Sequence, residues 1–447
     1  MTKKFVKESI SGWGGYPRKI ANVFYPNKID QILSEIKNGE IIARGNGRAY
    51  GDSAISEKNT INMKNFNNII SFDENNGSLI VESGVLLEDI IKTFLPKGWF
   101  PYVTPGSKYV TVGGMIAADV HGKNHHKDGS FGNFVEWIDL INNEGKIFRC
   151  SKEENPELFN WTIGGMGLTG IIIKASIKLR LVETCWVKQK ILTANNIDQT
   201  LDIFKKTMDS TYSVAWLDCS KKGKNIGQSL IMLGEHALVN DIKTKNKINP
   251  LKLITEKKIK VPFYLPGWFL NKWFIGFFNY IYYLFGKFSR KEKLVYWDKY
   301  FYPLDNILGW NKIYGRKGLV QYQCVFPLNK SREGLLKLIE EINKSKVKPF
   351  LTVLKQFGKQ TSKFSFPMEG LTIALDFPVN DKTLKLLEKL DKITIDYEGR
   401  VYLAKDSRMK KETFQKSDSR IENYLNFRDK NNYRSFFSSS QSSRLGL

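Results

Sequence analysis

Glycine is concentrated in three short segments within the first 170 residues, and this pattern constrains the fold more than any other feature of the chain. The segments are residues 44–52 (RGNGRAYGD), 104–122 (TPGSKYVTVGGMIAADVHG) and 162–170 (TIGGMGLTG). Glycine lets the backbone approach a ligand closely and leaves N–H groups free to bind phosphate oxygens. Any one segment could simply form turns. Together, and with Arg48, Asp52, His121 and Lys123 among them, they predict a loop-built site for an anionic ligand.

Two common phosphate-binding motifs are absent from the sequence. Gly45, Gly47 and Gly51 lack the G-x-G-x-x-G spacing of a dinucleotide-binding turn, and no helical pattern follows them. No G-x-x-x-x-G-K-S/T sequence occurs, which excludes a P-loop. The glycine segments therefore predict neither a Rossmann turn nor a P-loop.

Hydrophobic periodicity predicts a mixture of helices and strands, and 447 residues are enough for two or three domains. Apolar residues recur with helical spacing over residues 29–36. Residues 135–141 and 146–149 flank the turn signal NNEG and predict a hairpin. The serine-rich tail, residues 438–447, is expected to be disordered.

Histidines and cysteines do not form a metal-binding pattern. Three of the four histidines lie in HGKNHH, namely His121, His125 and His126, but Gly122 disfavours a helix there and no carboxylate or thiol pattern supplies further ligands. We expect no metal site, and expect these histidines to be buried and to hydrogen-bond a cofactor or a loop. The four cysteines have no C-x-x-C spacing, which argues against a disulfide scaffold or a structural zinc site.

The net charge of +24, from 69 Lys and Arg against 45 Asp and Glu, favours anionic partners. Nucleic acid, phosphate-bearing substrates and acidic lipids would all satisfy it. The sequence has no recognisable helix-turn-helix, zinc-finger or RNP pattern, so we expect no nucleic-acid partner.

An aromatic segment at residues 261–288 (VPFYLPGWFLNKWFIGFFNYIYYLFGKF) is flanked by lysines and interrupted by Pro266 and Lys272. Aromatic rings with adjoining cations suit the membrane interface, whereas a buried core helix is the alternative. The N-terminus lacks the apolar core of a secretory signal. We therefore expect a cytoplasmic protein that associates peripherally with the acidic surface of the inner membrane.

Longer motifs identify a family resemblance. The segments are RGNGRAYGD, TPGSKYVTVGGMIAADVHGKNHHKDGSFGN, ELFNWTIGGMGLTGII, YPLDNILGWNKIYG, LVQYQCVFP, LKQFG, FPMEGLTIALDFP and GRVYLAKDSR. They resemble the FAD-linked oxidases of the vanillyl-alcohol oxidase (p-cresol methylhydroxylase) superfamily, and within it the branch of decaprenylphosphoryl-β-D-ribose 2′-oxidases.

The resemblance implies an α+β, two-domain p-cresol methylhydroxylase-type fold. Residues 1–185 and the C-terminal return 400–447 would form the FAD-binding domain. Residues 186–399 would form an antiparallel-sheet substrate domain that includes the aromatic segment.

The resemblance also implies the cofactor contacts. The residues that would line FAD are Ala43, Arg44, Gly45, Asn46, Gly47, Arg48, Ala49, Tyr50, Gly51, Asp52, Ser53, Gly106, Thr111, Val112, Gly113, Gly114, Ala118, Asp119, Val120, His121, Ile172 and Tyr402. In many superfamily members a histidine in the region of His121 is joined covalently to the flavin. The branch that this chain resembles holds FAD non-covalently.

The catalytic residues implied by the resemblance are Lys405 and Tyr50, which by spacing alone would be an ordinary surface lysine and an ordinary aromatic. Positions that match the substrate pocket are Lys123, Gln321, Gln323, Lys355 and Thr372. Mycobacterial members carry a cysteine where this chain has Ala374, and an asparagine where it has Thr372.

The implied reaction is oxidation of a secondary sugar hydroxyl to a ketone, with hydride transfer to flavin N5. The expected substrate is the 2′-hydroxyl of a lipid-linked sugar phosphate, polyprenylphosphoryl ribose, in the first half of an epimerisation that feeds cell-wall polysaccharide synthesis. A ketoreductase partner would complete the epimerisation. The alternative is a soluble aldose, alditol or aldonolactone, which would leave the aromatic segment unexplained.

Overall fold

The structure is a computed structural model that describes residues 5–36, 39–243, 247–254, 258–266, 272–345, 347–360 and 362–447. Within these ranges, helices are interspersed with strands that pair mostly antiparallel, so the predicted α+β class is confirmed. The described strands form four sheets.

The first sheet has the order β1-β2-β4-β3 and consists of β1 (Val6–Ser11), β2 (Arg18–Phe24), β3 (Ile41–Arg44) and β4 (Asn59–Asn62). Helix α1 (Ile29–Ile36) forms where helical spacing predicts it and buries Ile32 and Ile36. β3 runs directly into the first glycine segment, so this sheet fixes where that loop begins.

The second sheet has the order β5-β6-β10-β8-β9, and β7 also pairs with β10. Its strands are β5 (Ile69–Asp73), β6 (Ser78–Glu82), β7 (Trp99–Pro101), β8 (Val135–Ile141), β9 (Ile147–Ser151) and β10 (Ile171–Leu181). The helices among them are α2 (Leu87–Phe94), α3 (Val112–Ala117), α4 (His125–Asp128) and α5 (Pro156–Thr162). β8 and β9 pair antiparallel as the predicted hairpin.

The third sheet has the order β15-β11-β13-β12-β18-β19-β17-β20. Its strands are β11 (Trp186–Ala194), β12 (Tyr212–Leu217), β13 (Ser229–His236), β15 (Glu292–Tyr296), β17 (Leu319–Pro327), β18 (Leu351–Phe357), β19 (Gly370–Pro378) and β20 (Arg400–Val401). A small parallel pair joins β14 (Ile259–Lys260) to β16 (Ile307–Leu308). The helices in this part of the chain are α6 (Ile197–Lys206), α7 (Lys272–Phe288), α8 (Trp297–Phe301), α9 (Ser331–Ser345) and α10 (Asp381–Asp396).

The C-terminal tail is ordered, so the expectation of disorder is wrong. After α11 (Lys411–Ser417) and α12 (Ile421–Lys430), the tail forms α13 (Ser440–Leu445). The Ser439 side chain caps α13 by accepting from the Ser442 N–H, and Leu445 and Leu447 are buried with residues of the first sheet. The serines act as helix caps instead of solvated linker residues, and the two leucines supply the burial that holds the tail in place.

The aromatic segment forms α7 over the part that is described, whereas residues 267–271, including Trp268, lie outside the described residues. Among the described helices, none combines the length and apolar character needed to cross a membrane. The inner side of α7 packs on β11 and β13.

Candidate active site

Strands β17, β18 and β19 place several of the predicted substrate residues side by side. In the antiparallel register Gln321 lies opposite Asp376, and Lys355 lies opposite Thr372. Side chains alternate between the faces of a strand, so the even-numbered residues 372, 374 and 376 of β19 share one face. The register therefore places these polar side chains next to one another on β17, β18 and β19.

Lys405 follows β20 and is half-buried against Tyr50. Its Nζ lies 4.0 Å from the centroid of the Tyr50 ring, and the Tyr50 N–H donates to the Ala404 carbonyl over 2.9 Å. Burial lowers the pKa of Lys405 below the usual lysine range, and nearby Asp376 partly offsets that decrease. Lys405 and Tyr50, 355 residues apart in sequence, thus meet at one point.

Asp376 contributes a carboxylate to this site. It was not among the site residues expected from the sequence. Gln321 Nε2 donates to Asp376 Oδ1 and also lies 3.4 Å from the Tyr50 hydroxyl. Burial raises the pKa of Asp376, and the Gln321 amide and the Lys405 ammonium partly offset that rise. A single carboxylate within the apolar strand GLTIALDFP was the signal that could have identified it.

His121 lies between two predicted substrate residues. Its Nδ1 is 3.2 Å from Lys355 Nζ and its Nε2 is 3.0 Å from Gln323 Nε2. Gln323 also donates to the Thr372 hydroxyl over 3.2 Å. Burial, and then the charge of Lys355, lower the pKa of His121 well below its usual range, so the ring is neutral at pH 7.

Lys123 and Lys355 form a buried cationic cluster with Lys405. Burial lowers the pKa of both Lys123 and Lys355 to about 7, and for Lys355 the charges of Lys405 and Lys123 add to the effect. Lys123 Nζ donates to the Tyr300 carbonyl. Among the described residues, neither Lys123 nor Lys355 forms an ion pair with a carboxylate. The pocket therefore has a positive charge that protein carboxylates do not neutralise.

The first glycine segment leaves a row of N–H groups without a protein acceptor. Within the described residues, the backbone N–H groups of Asn46, Gly47, Arg48 and Ala49 make no hydrogen bond, although the loop is largely half-buried. Buried N–H groups are nearly always satisfied by some acceptor, so this row suits the oxygens of an anionic ligand such as a diphosphate.

Glycine is required in this loop because other backbone segments approach it closely. A Cβ on Gly45 would lie 2.1 Å from Thr111 Oγ1, and a Cβ on Gly51 would lie 2.0 Å from the Asp406 carbonyl oxygen. Asn46 also donates to the Tyr109 carbonyl over 2.8 Å. The loop is thus in contact with the second glycine segment on one side and with the Lys405 loop on the other.

The remaining predicted cofactor residues lie around these contacts. Thr111 caps α3 by accepting from the Gly114 N–H, and the Gly113 N–H donates to the Ser83 carbonyl. The Tyr402 hydroxyl donates to the Ala118 carbonyl over 2.9 Å. Buried side chains complete the surroundings, namely Ser53, Val112, Val120 and Ile172, while Ala43 lies in β3 and Gly106 borders open space.

Several predicted cofactor residues use their side chains within the protein. The Asp52 carboxylate accepts from Arg444 over 2.8 Å, and the Asp119 carboxylate accepts from Ser130 and from the Gly132 N–H. Arg44 donates to the Ser11 and Ala54 carbonyls, and the Arg48 guanidinium lies 4.1 Å from the Trp13 ring centroid. Their side chains shape the loops, and only their backbones remain available to a ligand.

The third glycine segment is a packing element. The Gly164 N–H donates to the Ile116 carbonyl and the Met166 N–H donates to the Ala117 carbonyl, so the segment lies along α3. Gly164 has φ +77° and a Cβ there would collide with Ser365. The glycines of the third segment therefore serve turn formation and close packing, which is the alternative given above for any single glycine segment.

The other histidines of HGKNHH are held by hydrogen bonds to loops. The His125 ring contacts Gln360 Oε1 and accepts from the Gly358 N–H, and His126 Nε2 contacts the Ser210 carbonyl. Burial lowers the pKa of His125 to about 3. No cluster of three or more metal-ligating side chains exists among the described residues.

Comparison with known proteins gives concordant results. A family model described as an FAD binding domain matches residues 21–151. Decaprenylphosphoryl-beta-D-ribose oxidase of Mycolicibacterium smegmatis is 32% identical over 450 residues, which covers 98% of this chain and 97% of that protein. An uncharacterized protein of Streptomyces coelicolor is 27% identical over 81% of this chain and 100% of its own length. D-arabinono-1,4-lactone oxidase of Kluyveromyces lactis is 25% identical, but over only 38% of this chain and 34% of its own.

The near-complete overlap with a named oxidase, the FAD-domain match and the loop with unsatisfied N–H groups agree with one another. FAD is the cofactor, and the chain belongs to the FAD-dependent oxidoreductases of the p-cresol methylhydroxylase type, in the family that includes decaprenylphosphoryl-beta-D-ribose oxidase.

Proposed function

We propose that this protein oxidises the 2′-hydroxyl of a polyprenylphosphoryl ribose to a ketone, as the first half of an epimerisation. The observation that carries the proposal is the cationic cluster of Lys123, Lys355 and Lys405, in which burial, and then the charges of Lys405 and Lys123, lower the pKa of Lys355. A phosphate on the substrate would neutralise this charge through charge-assisted hydrogen bonds. The mycobacterial relative, whose name specifies decaprenylphosphoryl ribose, supports the same substrate class.

The cofactor loop supports FAD binding through its backbone. The N–H groups of residues 46–49 would hold the diphosphate, and the residues around Ala118 and Tyr402 would line the rest of FAD. Both ring nitrogens of His121 already contact side chains, Lys355 and Gln323. This arrangement supports non-covalent FAD, because a covalent link would displace one of these contacts.

The reaction would use Lys405 as the base. When bound, FAD supplies the hydride acceptor. The Lys405 amine, with its pKa lowered by burial, would take the proton of the sugar hydroxyl. Asp376, held by Gln321, would stabilise the resulting ammonium. Tyr50 would hold the sugar carbon beside Lys405, and Gln323, Lys355 and Thr372 would bind the sugar or its phosphate.

The proposed FAD-binding and substrate-binding parts of the chain follow the domains expected from the sequence. We propose that residues 1–185 and 400–447 bind FAD and that 186–399 bind the substrate. One buried cluster supports this division, since all of its buried residues lie within 186–399, in the third sheet and the helices packed on it.

A soluble aldose, alditol or aldonolactone is the second candidate substrate. The similarity to D-arabinono-1,4-lactone oxidase favours it, but that similarity covers only 38% of the chain. A neutral sugar would also leave the charge of Lys355 and Lys123 uncompensated. With the lipid-linked substrate, the product is a keto-sugar, and a reductase partner that returns it to an alcohol of opposite configuration would complete the epimerisation.

Anaerobic bleaching of the flavin tests the proposed function. Polyprenylphosphoryl ribose should bleach the holoprotein, whereas free ribose and arabinono-lactone should not. Lys405→Met should keep FAD and lose bleaching by about a thousandfold, because general bases typically contribute 10²–10⁴-fold.

The matched control is Lys410→Met, since Lys410 is exposed and follows the same loop. The control should bleach at the parent rate. Equal bleaching by Lys405→Met and the parent would refute the role of Lys405, and bleaching by the free sugars alone would favour the second substrate class.

A further inference from the structure

Helix α7 presents an apolar face to solvent that we call the aromatic face, composed of Trp273, Phe277, Tyr280, Ile281, Leu284, Phe285 and Phe288. Phe277, Phe285 and Phe288 are 66%, 74% and 79% exposed. At 100° per residue, the members of this face lie on one side of the helix.

The opposite side of α7 is a conventional packed face. Ile275 and Tyr283 are buried against the third sheet, and Asn279 Nδ2 donates to Asp218 Oδ1 over 2.9 Å. A helix on the protein surface normally has polar residues on the side that faces water, whereas α7 is largely apolar on both sides. Exposed apolar patches of this kind mark interaction surfaces.

Charge next to the aromatic face identifies its partner. Lys287, Arg290, Lys291 and Lys293 are all exposed at the C-terminal end of α7 and in β15, and the chain carries +24 overall. A second copy of this chain would bring the same cations to the contact, which disfavours self-association. An anionic lipid surface accommodates both features, because aromatic rings settle at headgroup depth and nearby Lys and Arg side chains are attracted to anionic headgroups.

A row of aromatic rings connects α7 to the candidate active site. Phe278 lies 5.3 Å from Phe350, Phe350 lies 6.0 Å from Tyr314, and Tyr314 lies 5.9 Å from Trp310, measured between ring centroids. Tyr314 in turn lies beside Asp376 and lowers its pKa. Aromatic side chains therefore lie in contact with one another between the surface of α7 and the neighbourhood of Asp376.

We propose that the aromatic face docks α7 on the surface of an anionic bilayer, and that the isoprenoid part of the substrate reaches the active site from the membrane along the Phe278–Tyr314 row. The docking surface stands on the exposure and charge of α7 alone. The isoprenoid path rests on the proposed function.

Co-sedimentation of the holoprotein with vesicles tests the docking surface. The probes are vesicles of phosphatidylcholine alone and of phosphatidylcholine with phosphatidylglycerol. The parent should bind the anionic vesicles, and binding should weaken as salt is raised. Phe277→Glu with Phe285→Glu should lower the partition coefficient by roughly tenfold or more, because two exposed rings are replaced by anions.

A matched control replaces two exposed apolar residues outside α7, Ile20→Glu with Leu181→Glu, which are 63% and 71% exposed in the parent. This control should bind vesicles like the parent. If both double variants lost vesicle binding equally, the loss would be due to the change in net charge, and the assignment of the docking surface to α7 would be overturned. Unchanged binding by the α7 variant, or a dimer that the α7 variant dissociates in sedimentation velocity, would also overturn it.

The isoprenoid path has a separate readout. A short-chain prenylphosphoryl ribose in solution should bleach the α7 variant and the parent equally, whereas a long-chain substrate embedded in anionic vesicles should bleach only the parent. Equal bleaching by the embedded substrate would overturn the path. If neither substrate bleaches the parent, the proposed function fails, and vesicle binding still decides the docking surface.

Discussion

At the scale of single residues, burial gives the lysines of this site a lower pKa than an exposed lysine has. Lys405 is one of many lysines in a lysine-rich chain, and as an exposed residue it would be fully protonated at pH 7. Enclosed beside Tyr50 and Asp376, it has a lowered pKa and can serve as a base. Lys355, next to the neutral His121, is held at a cost to the folded state that an anionic ligand would reduce.

Lys355→Met should therefore stabilise the protein in a pH-dependent manner while weakening substrate binding. The pKa of Lys355 is about 7 in the folded protein and 10.5 for an ordinary lysine, so the unfolded chain binds the extra proton between these values. The penalty is fully present below pH 7, is on the order of a few kcal/mol, and disappears as pH rises towards the unfolded pKa. The melting temperature should rise in the variant at pH 6 and rise by about half as much at pH 9.

Thermal melts of the holoprotein at the two pH values measure this difference. Lys337→Met replaces an exposed lysine of α9 and should leave the melting temperature unchanged at both. A gain for Lys355→Met that is the same at pH 6 and pH 9 would assign the effect to apolar packing instead of charge.

At the scale of elements, the C-terminal helix α13 connects the first glycine segment to the loop that carries Lys405. Arg444 donates to the Asp52 carboxylate and to the Met409 carbonyl, and it pairs with Asp406 over 3.0 Å. Burial by itself would raise the pKa of Asp406, but the guanidiniums of Arg444 and Arg408 hold it below its usual range. A short helix thus fixes both the loop that would hold the diphosphate and the loop that carries Lys405.

Arg444→Met should release both loops. Two buried carboxylates would lose their shared cation, which typically costs about 3–5 kcal/mol of stability. We expect a lower melting temperature and weaker FAD binding, measured by the dissociation constant of FAD in fluorescence titration. Arg444→Lys should recover part of the affinity, because it keeps the charge without the forked geometry.

Arg434→Met is the control in the same segment, since Arg434 is exposed, pairs with Asp429 and donates to the Gly446 carbonyl over 3.2 Å, but among the described residues contacts neither Asp52 nor Asp406. It should change neither quantity beyond the small effect of a surface ion pair. Full FAD affinity in Arg444→Met would show that α13 does not position the cofactor loop.

At the scale of the whole molecule, the segments that we propose to surround FAD come from separate sheets. Residues 46–49 follow β3 of the first sheet, Thr111 precedes α3 beside the second sheet, and Lys405 follows β20 of the third. Close contacts already join them, with Gly45 against Thr111 and Gly51 against Asp406. A ligand that binds all three segments should stabilise the assembly as a unit.

Removal of FAD should therefore lower the melting temperature of the protein. Acid precipitation should leave FAD in the supernatant and a colourless pellet, because we propose non-covalent binding. For apoprotein prepared under milder conditions, FAD at a hundred times its dissociation constant should restore about 2.7 kcal/mol. FMN lacks the diphosphate and should restore little. Equal recovery with FMN, or a pellet that stays yellow, would contradict this account of the site.

The sequence by itself determined the local elements and the family. Helical spacing identified α1, a turn between two apolar runs identified the β8–β9 hairpin, and the first glycine segment marked the loop whose N–H groups lack a protein acceptor. These features depend on neighbouring residues, whose periodicity and turn chemistry are visible along the chain. The serine-rich tail was misjudged because the two leucines that anchor α13 are buried only by distant residues.

Only the tertiary structure decided which residues share the site and what their environment does to them. Asp376, Arg444 and the aromatic row to α7 carry no local signature strong enough to assign them. Their partners lie tens to hundreds of residues away, as in the contact of Gln321 with Tyr50. Burial and the electrostatic field of the folded chain set the pKa of Lys355 and Lys405, and neither exists until sheet registry and packing have brought those groups together.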